Sequence, residues 1–276
     1  MSSIPIVASA VDRPAVLGPA ADLFNRRAAR LRHLADGHAM EVWLQWLARL
    51  AEAQQAALRE PAEPQALRAI LAGLAAALPE TAAARDAAAL DAVALAQRLE
   101  RSQRHARGEA IDTARDAIDV LIGAAWQVQA TAAALATPLP AAGAGAAVQA
   151  TQAHCPCCGS LAHGSLLQAG DGVGGLRYQE CSACGTRWHA VRARCTVCDD
   201  GEVVNYLSLE SEQAAVAAET CDACHGYSKV FFQTRDAAVE PLADDLATLA
   251  LDVLVGEQGY ARAAPNLLLA EGEALG

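Results

Sequence analysis

The sequence predicts an α+β protein, with an N-terminal α-helical bundle followed by two tandem tetrathiolate metal modules and a C-terminal helix. Three observations carry this. Apolar residues recur at helical spacing from about Pro19 to Ala136. An uncharged stretch rich in Pro, Gly and Ala follows over 137–152. Eight cysteines then fall into four Cys-x-x-Cys pairs between Cys155 and Cys224.

Taken in order, the first helix carries Phe24, Ala28, Leu31 and Ala35 on one face and ends at Asp36-Gly37. The second, Ala39 to Glu60, aligns Trp43, Leu47, Leu50 and Ala51. Pro61 and Pro64 introduce a third over Pro64–Leu78, Pro79-Glu80-Thr81 starts a fourth reaching about Gln103, and Gly108 precedes a fifth over Glu109–Ala136. Aromatic residues make up only 4% of the chain, so this core must be built from small residues on closely packed helices. Short runs such as Leu176-Arg177-Tyr178, Trp188-His189-Ala190-Val191 and Val203-Val204-Asn205-Tyr206-Leu207 suit strands. Near the end, Leu242, Leu246, Leu249 and Val253 share a helical face before Gly256 and Gly259. The expected division is a helical domain over 1–140, a linker over 141–152, metal modules over 153–193 and 194–235, and a C-terminal helix and tail over 236–276.

A net charge of −11 argues against broad adhesion to nucleic acid or to an anionic membrane. Arg177, Arg187, Arg192 and Arg194 form a local basic group, but Asp199, Asp200, Glu202, Glu210 and Glu212 offset it. Arg26, Arg27, Arg30 and Arg32 read as the solvated face of the first helix. Val120–Ala136 is interrupted by Gln127 and Gln129 and is short for a bilayer span, so stable membrane insertion is not expected. Met1–Ala10 lacks a basic residue ahead of its apolar run, which does not read as a secretory signal and points to the cytoplasm. The sequence holds no P-loop, dinucleotide fingerprint or nucleophile elbow, and nothing in it reads as an enzyme.

The cysteine pairs are separated by 22, 10 and 22 residues, so a shift of 40 residues maps Cys155, Cys158, Cys181 and Cys184 onto Cys195, Cys198, Cys221 and Cys224. Two thiolates three apart grip one ion when the backbone turns tightly and aims amide N–H groups at the sulfurs. That turn favours a positive φ just after the second cysteine. Gly159 and Gly185 suit it, Asp199 can substitute, and His225 stands there in the last pair with Gly226 displaced by one. The gap-free repeat favours sequential pairing of the cysteines over a cross-braced arrangement. Four sulfurs accept zinc or a single iron, two ions in all, and leave no open position for metal-activated water. The ninth cysteine, Cys157, lies between two ligands and reads as a bystander thiol. His154, His163, His189 and His225 read as surface or supporting residues, and Tyr178, Trp188, Tyr206, Tyr227, Phe231 and Phe232 as small cores around the knuckles.

These cysteine pairs, with Gly175-Leu176-Arg177-Tyr178, Trp188-His189-Ala190-Val191-Arg192, Asp244-Asp245-Leu246-Ala247 and the early run Phe24 to Leu31, closely resemble the formate dehydrogenase accessory protein family, FdhE. The resemblance implies a cytoplasmic protein pairing a helical domain with two rubredoxin-like or zinc-ribbon modules. It also implies a partner, the catalytic subunit of respiratory formate dehydrogenase, and slightly favours iron over zinc. A homo-oligomer is compatible with this reading. Two other classes stay open from the residues alone: a zinc-ribbon adaptor in nucleic-acid metabolism, which needs a basic face, and an iron electron-transfer protein.

Overall fold

The computed structural model describes residues 15–59, 66–139, 153–169, 175–192, 194–201, 204–209 and 211–270. The linker expected over 141–152 lies outside them. After a short strand β1 (Val16–Leu17), the first half is helical: α1 (Leu23–Ala35), α2 (Glu41–Arg59), α3 (Ala66–Ala77), α4 (Ala82–Ala89), α5 (Ala92–Ala106) and α6 (Ala117–Ala136). Phe24, Leu31, Leu44, Leu47, Leu71, Leu74, Leu121 and Ile122 form their core together with small residues such as Ala28, Ala48, Ala51, Ala124 and Ala125. The fourth expected helix is two helices. Leu90 is extended, and Asp91 starts a new helix by accepting a bond from the Ala94 amide at 2.8 Å. The fifth begins later than expected, at a reciprocal cap in which the Asp116 and Asp119 side chains each accept the other's amide, at 2.9 and 3.2 Å. α6 is long and apolar enough to cross a membrane, but 72% of its apolar window is buried inside the protein.

The second half contributes β2 (Ala162–Leu167), β3 (Arg177–Cys181), β4 (Arg187–Ala190), β5 (Val204–Leu207), β6 (Val216–Cys221), β7 (Gly226–Phe232), helices α7 (Pro241–Ala247) and α8 (Leu249–Glu257), and β8 (Ala261–Arg262). The 40-residue repeat in the cysteines reappears here, with β2, β3 and β4 answering to β5, β6 and β7. The two antiparallel triplets lie side by side in one sheet, in the order β1-β4-β3-β2-β7-β6-β5, joined where β2 runs parallel to β7. Gly164 makes that junction possible. A Cβ there would meet the Phe231 ring at 2.6 Å and the Lys229 carbonyl at 2.7 Å. The C-terminal helix breaks at Thr248 into α7 and α8, which shifts the phase: Leu251 and Val255 are buried while Val253 is 61% exposed. α7 returns to the helical core, where Leu242, Ala243 and Leu246 join residues of α1 to α6.

Sheet and helices meet through a buried charged layer. Arg27 and Arg30 of α1 are almost fully buried, not solvated as their sequence suggested. Arg27 donates to Glu240 at 3.2 Å, and Arg30 forks onto Asp244 at 2.9 and 2.7 Å. Lys229 of β7 lies 2.9 Å from Asp245 and 2.7 Å from Asp252, and Arg262 reaches Asp245 at 2.6 Å. Burial alone would push the Asp245 carboxyl up, but Lys229 and Arg262 outweigh it and hold it below the ordinary aspartate range. Arg177 is turned inward onto Glu219 at 2.7 Å and Arg187 onto Glu180 at 2.6 Å, and His163 sits buried beside Glu180.

His105, in the last turn of α5, gives the helical body an acid-sensitive point. Partial burial and then the nearby Arg115 cation push its pKa down from 6.5 to about 4. The folded state therefore prefers neutral imidazole, so this contribution is complete above pH ~6.5 and is lost as pH falls towards ~4. His105→Gln is expected to flatten the pH dependence of the unfolding temperature in that window and leave it unchanged at pH 7.5. An unaltered slope would remove His105 as the sensor.

Candidate metal centres

The structure brings the cysteines together in chain order. Cys155, Cys158, Cys181 and Cys184 place their sulfurs within 4.8 Å of one another, and so do Cys195, Cys198, Cys221 and Cys224. All four turns share one geometry. The residue after the second cysteine is left-handed in each, with φ of 75° at Gly159, 70° at Gly185, 64° at Asp199 and 52° at His225. Its amide bonds the first cysteine's carbonyl, at 2.9, 3.3, 3.0 and 2.9 Å respectively. The last turn keeps its glycine one position late because a Cβ on Gly226 would lie 3.2 Å from the Cys224 sulfur, while His225 itself carries the positive φ.

Sulfur spacing tests the fit to an ion. Four sulfurs at about 2.3 Å from a shared centre stand about 3.8 Å apart. In the second group Cys195–Cys224 and Cys198–Cys221 are 3.9 and 3.8 Å apart. The first group is slightly tighter, with Cys155–Cys184, Cys158–Cys181 and Cys158–Cys184 at 3.5, 3.3 and 3.6 Å. These separations are far beyond a disulfide of about 2.05 Å. Backbone amides of Cys157, Ala183, Cys184 and Val197 approach the sulfurs at 3.4 Å. Within each group the thiols are driven apart: burial pushes Cys181 well above its ordinary value and Cys195 to about 12, while hydrogen bonds from neighbouring thiols hold Cys158 below its ordinary value, so without a cation the four are not thiolates together. A bound cation reverses that preference, so the donor set suits a thiolate-seeking ion such as zinc or iron. Cys157 stays outside the first group and lines a neighbouring pocket with Arg107, Trp126 and Gln129.

Supporting residues that the cysteine spacing did not reveal hold the first group in place. The hydroxyls of Ser160 and Thr186 lie 3.3 and 3.1 Å from the sulfurs of Cys158 and Cys184. Each stands two positions after the second cysteine of its pair, where the second module has Asp200 and Gly226, so a comparison of the four turns could have found them. From α6, Gln127 donates to the Ser182 carbonyl at 2.9 Å and Thr131 to that of Cys184 at 3.4 Å. Trp126, Ala130 and Ala134 of α6 and Ala106 of α5 share a cluster with Cys155, Cys181, Cys184 and Trp188. Of the aromatics expected in small cores, Tyr178, Trp188, Tyr227 and Phe231 are buried, whereas Tyr206 is 49% exposed.

Comparison with known proteins agrees along the length of the chain. Family models described as "FdhE, N-terminal", "FdhE, central domain" and "FdhE, C-terminal domain" match residues 13–69, 154–192 and 193–269. A Pseudomonas aeruginosa protein named "Protein FdhE homolog" is 37% identical, with 97% of this chain and 96% of that protein covered. "Protein FdhE" of Escherichia coli is 45% identical over 44% of this chain and 38% of its own length. The crystal structure of the FdhE protein from Pseudomonas aeruginosa superposes with a TM-score of 0.72 at 35% identity, covering 94% of this chain and 100% of that one.

Proposed function

The chain belongs to the FdhE family, and from that premise we propose that it is a cytoplasmic, non-enzymatic accessory protein for formate dehydrogenase maturation that binds the enzyme's catalytic subunit. The observation that carries this reading is the full-length relationship, which extends over the helical body as well as the cysteine modules. The eight cysteines of the two groups are the proposed ligands of two ions, iron or zinc, each closed by four sulfurs. Closed tetrathiolate centres leave no position for activating water and suit a scaffold that presents a surface to a client. A nucleic-acid adaptor loses support because Arg177 and Arg187, half of the basic group that suggested it, are turned into the interior against Glu219 and Glu180.

Deleting the gene in a formate-respiring strain with no second copy is expected to leave the catalytic subunit present but inactive. Tagged full-length protein should recover that subunit from the same cells. Normal formate oxidation in the deletion strain would overturn the functional reading and leave the metal centres standing.

A further inference from the structure

We propose that the two centres are unequal: the one formed by Cys195, Cys198, Cys221 and Cys224 is the exchange-labile centre, and its exposed thiols, Cys198 and Cys224, are the ligands through which chelators and thiol-directed electrophiles reach it. The proposal rests on the ligand reading of the cysteines but not on formate dehydrogenase as client.

The repeat makes two near-identical turns, yet their surroundings differ. Around the first centre Cys155, Cys181 and Cys184 are buried, with Cys184 at 0% exposure. Its turns are anchored from the helical body: by Gln127 and Thr131 of α6, by the Leu161 amide on the Ala106 carbonyl at 2.8 Å, and by Leu23, which a Cβ on Gly185 would meet at 2.6 Å. Opening that centre would require the sheet to lift off α6, an event of sub-global size. Cys158, its partly exposed ligand, borders the pocket beside α6, but the three other sulfurs stay enclosed.

Among the described residues, no helix of the first half shares a core cluster with the cysteines of the second centre. Cys198 and Cys224 are exposed while Cys195 and Cys221 are buried, and the neighbours Val197 and Gly201 on one turn and Asp222, Ala223 and His225 on the other are exposed too. Its positions corresponding to Ser160 and Thr186 are Asp200 and Gly226, so neither matching hydroxyl exists. The Cys221–Cys224 turn is tied to the C-terminal segment by β8, where the Ala261 amide bonds the His225 carbonyl at 2.8 Å, and by the Tyr260–Asp222 contact at 2.5 Å. Loosening these turns breaks surface contacts and leaves the helical core intact, so opening needs only a local fluctuation.

The test uses full-length Cys157→Ser protein loaded with zinc, which removes the bystander thiol. Metal release to a coloured chelator is followed in parallel with pulsed iodoacetamide labelling and peptide mapping. One ion should leave at least about tenfold faster than the other, as local opening outruns sub-global opening. Cys198 and Cys224 should be labelled ahead of Cys155, Cys181 and Cys184, while helical circular dichroism stays unchanged through the fast phase. Cys198→Ser should abolish the fast phase and preserve the slow one. Release of both ions at one rate, earlier labelling of Cys158 than of Cys198, or loss of the slow phase in Cys198→Ser would overturn the proposal.

Discussion

Cys184→Ser is expected to leave the protein with one metal ion instead of two and to detach the sheet from one face of α6. Cys184 is fully buried, its sulfur lies within 3.6 Å of two other cysteine sulfurs, and its carbonyl accepts the Thr131 hydroxyl. A structural zinc can contribute about 10–16 kcal/mol to the folding of a small module. That matches or exceeds the ~5–15 kcal/mol that holds a typical domain together, so the β2–β4 triplet should not stay ordered without its ion. The damage should stop short of the main helical core. The core cluster of α1 to α6 with Leu242, Ala243, Leu246 and Leu268 contains no sheet residue, whereas Trp126, Ala130 and Ala134 pack on the cysteines. Elemental analysis should find about one ion fewer, tryptophan emission should shift to the red as Trp126 and Trp188 are uncovered, and most far-UV helical signal should persist. Cys157→Ser, outside the cluster, should keep both ions. Two ions retained by Cys184→Ser, or one lost from Cys157→Ser, would contradict the ligand assignment.

Asp245→Ala is expected to destabilise the fold by about 3–5 kcal/mol, the usual cost of breaking a buried charge pair by removing one partner. Asp245 is fully buried and bonds Lys229, Arg262 and Asn266, the last at 2.7 Å. Its removal leaves two cations, Lys229 (itself 1% exposed) and Arg262, sharing the single carboxylate of Asp252 at 2.7 and 3.1 Å. Urea denaturation should show a lower midpoint without a matching change in slope. The wild-type contribution has a definite pH sense. Because the carboxyl is held below its unfolded value, its stabilisation is present above pH ~4 and is lost as pH falls further through the folded pKa. The half-exposed Arg32–Glu52 pair serves as control, since breaking it should cost no more than about 1 kcal/mol. A loss below about 1 kcal/mol in Asp245→Ala would mean that the charged layer is not what joins the α7–α8 segment to the sheet.

The alanine-rich helices and the strands at Arg177, Trp188 and Val204 were legible because periodicity depends on neighbours along the chain. β2, β6 and β7 were not. β2 and β6, like β3, are buried at every position and lack the alternation of a half-exposed strand, but where β3 carries Tyr178, Gly164 of β2 and the alanines of β6 are weak strand formers. The breaks at Leu90-Asp91 and Thr248 are not legible either, since a single cap or turn interrupts an otherwise continuous helical pattern.

What the sequence determined by itself is local: which segments are helical, the four tight turns with their positive-φ positions, and the 40-residue register that gathers eight thiols into two groups in chain order. Such features arise from residues a few places apart, where spacing along the chain translates directly into position. Only the tertiary structure decided that Arg27 and Arg30 face inward to Glu240 and Asp244, more than 200 positions away in sequence. It alone decided that the two repeats share one sheet across Gly164, and that α6 shields one cysteine group while leaving the other near solvent. The reason is physical. A buried charge or a covered face is defined by whatever packs against it, and identical turns acquire different exposure only when a third element lies on one and not on the other.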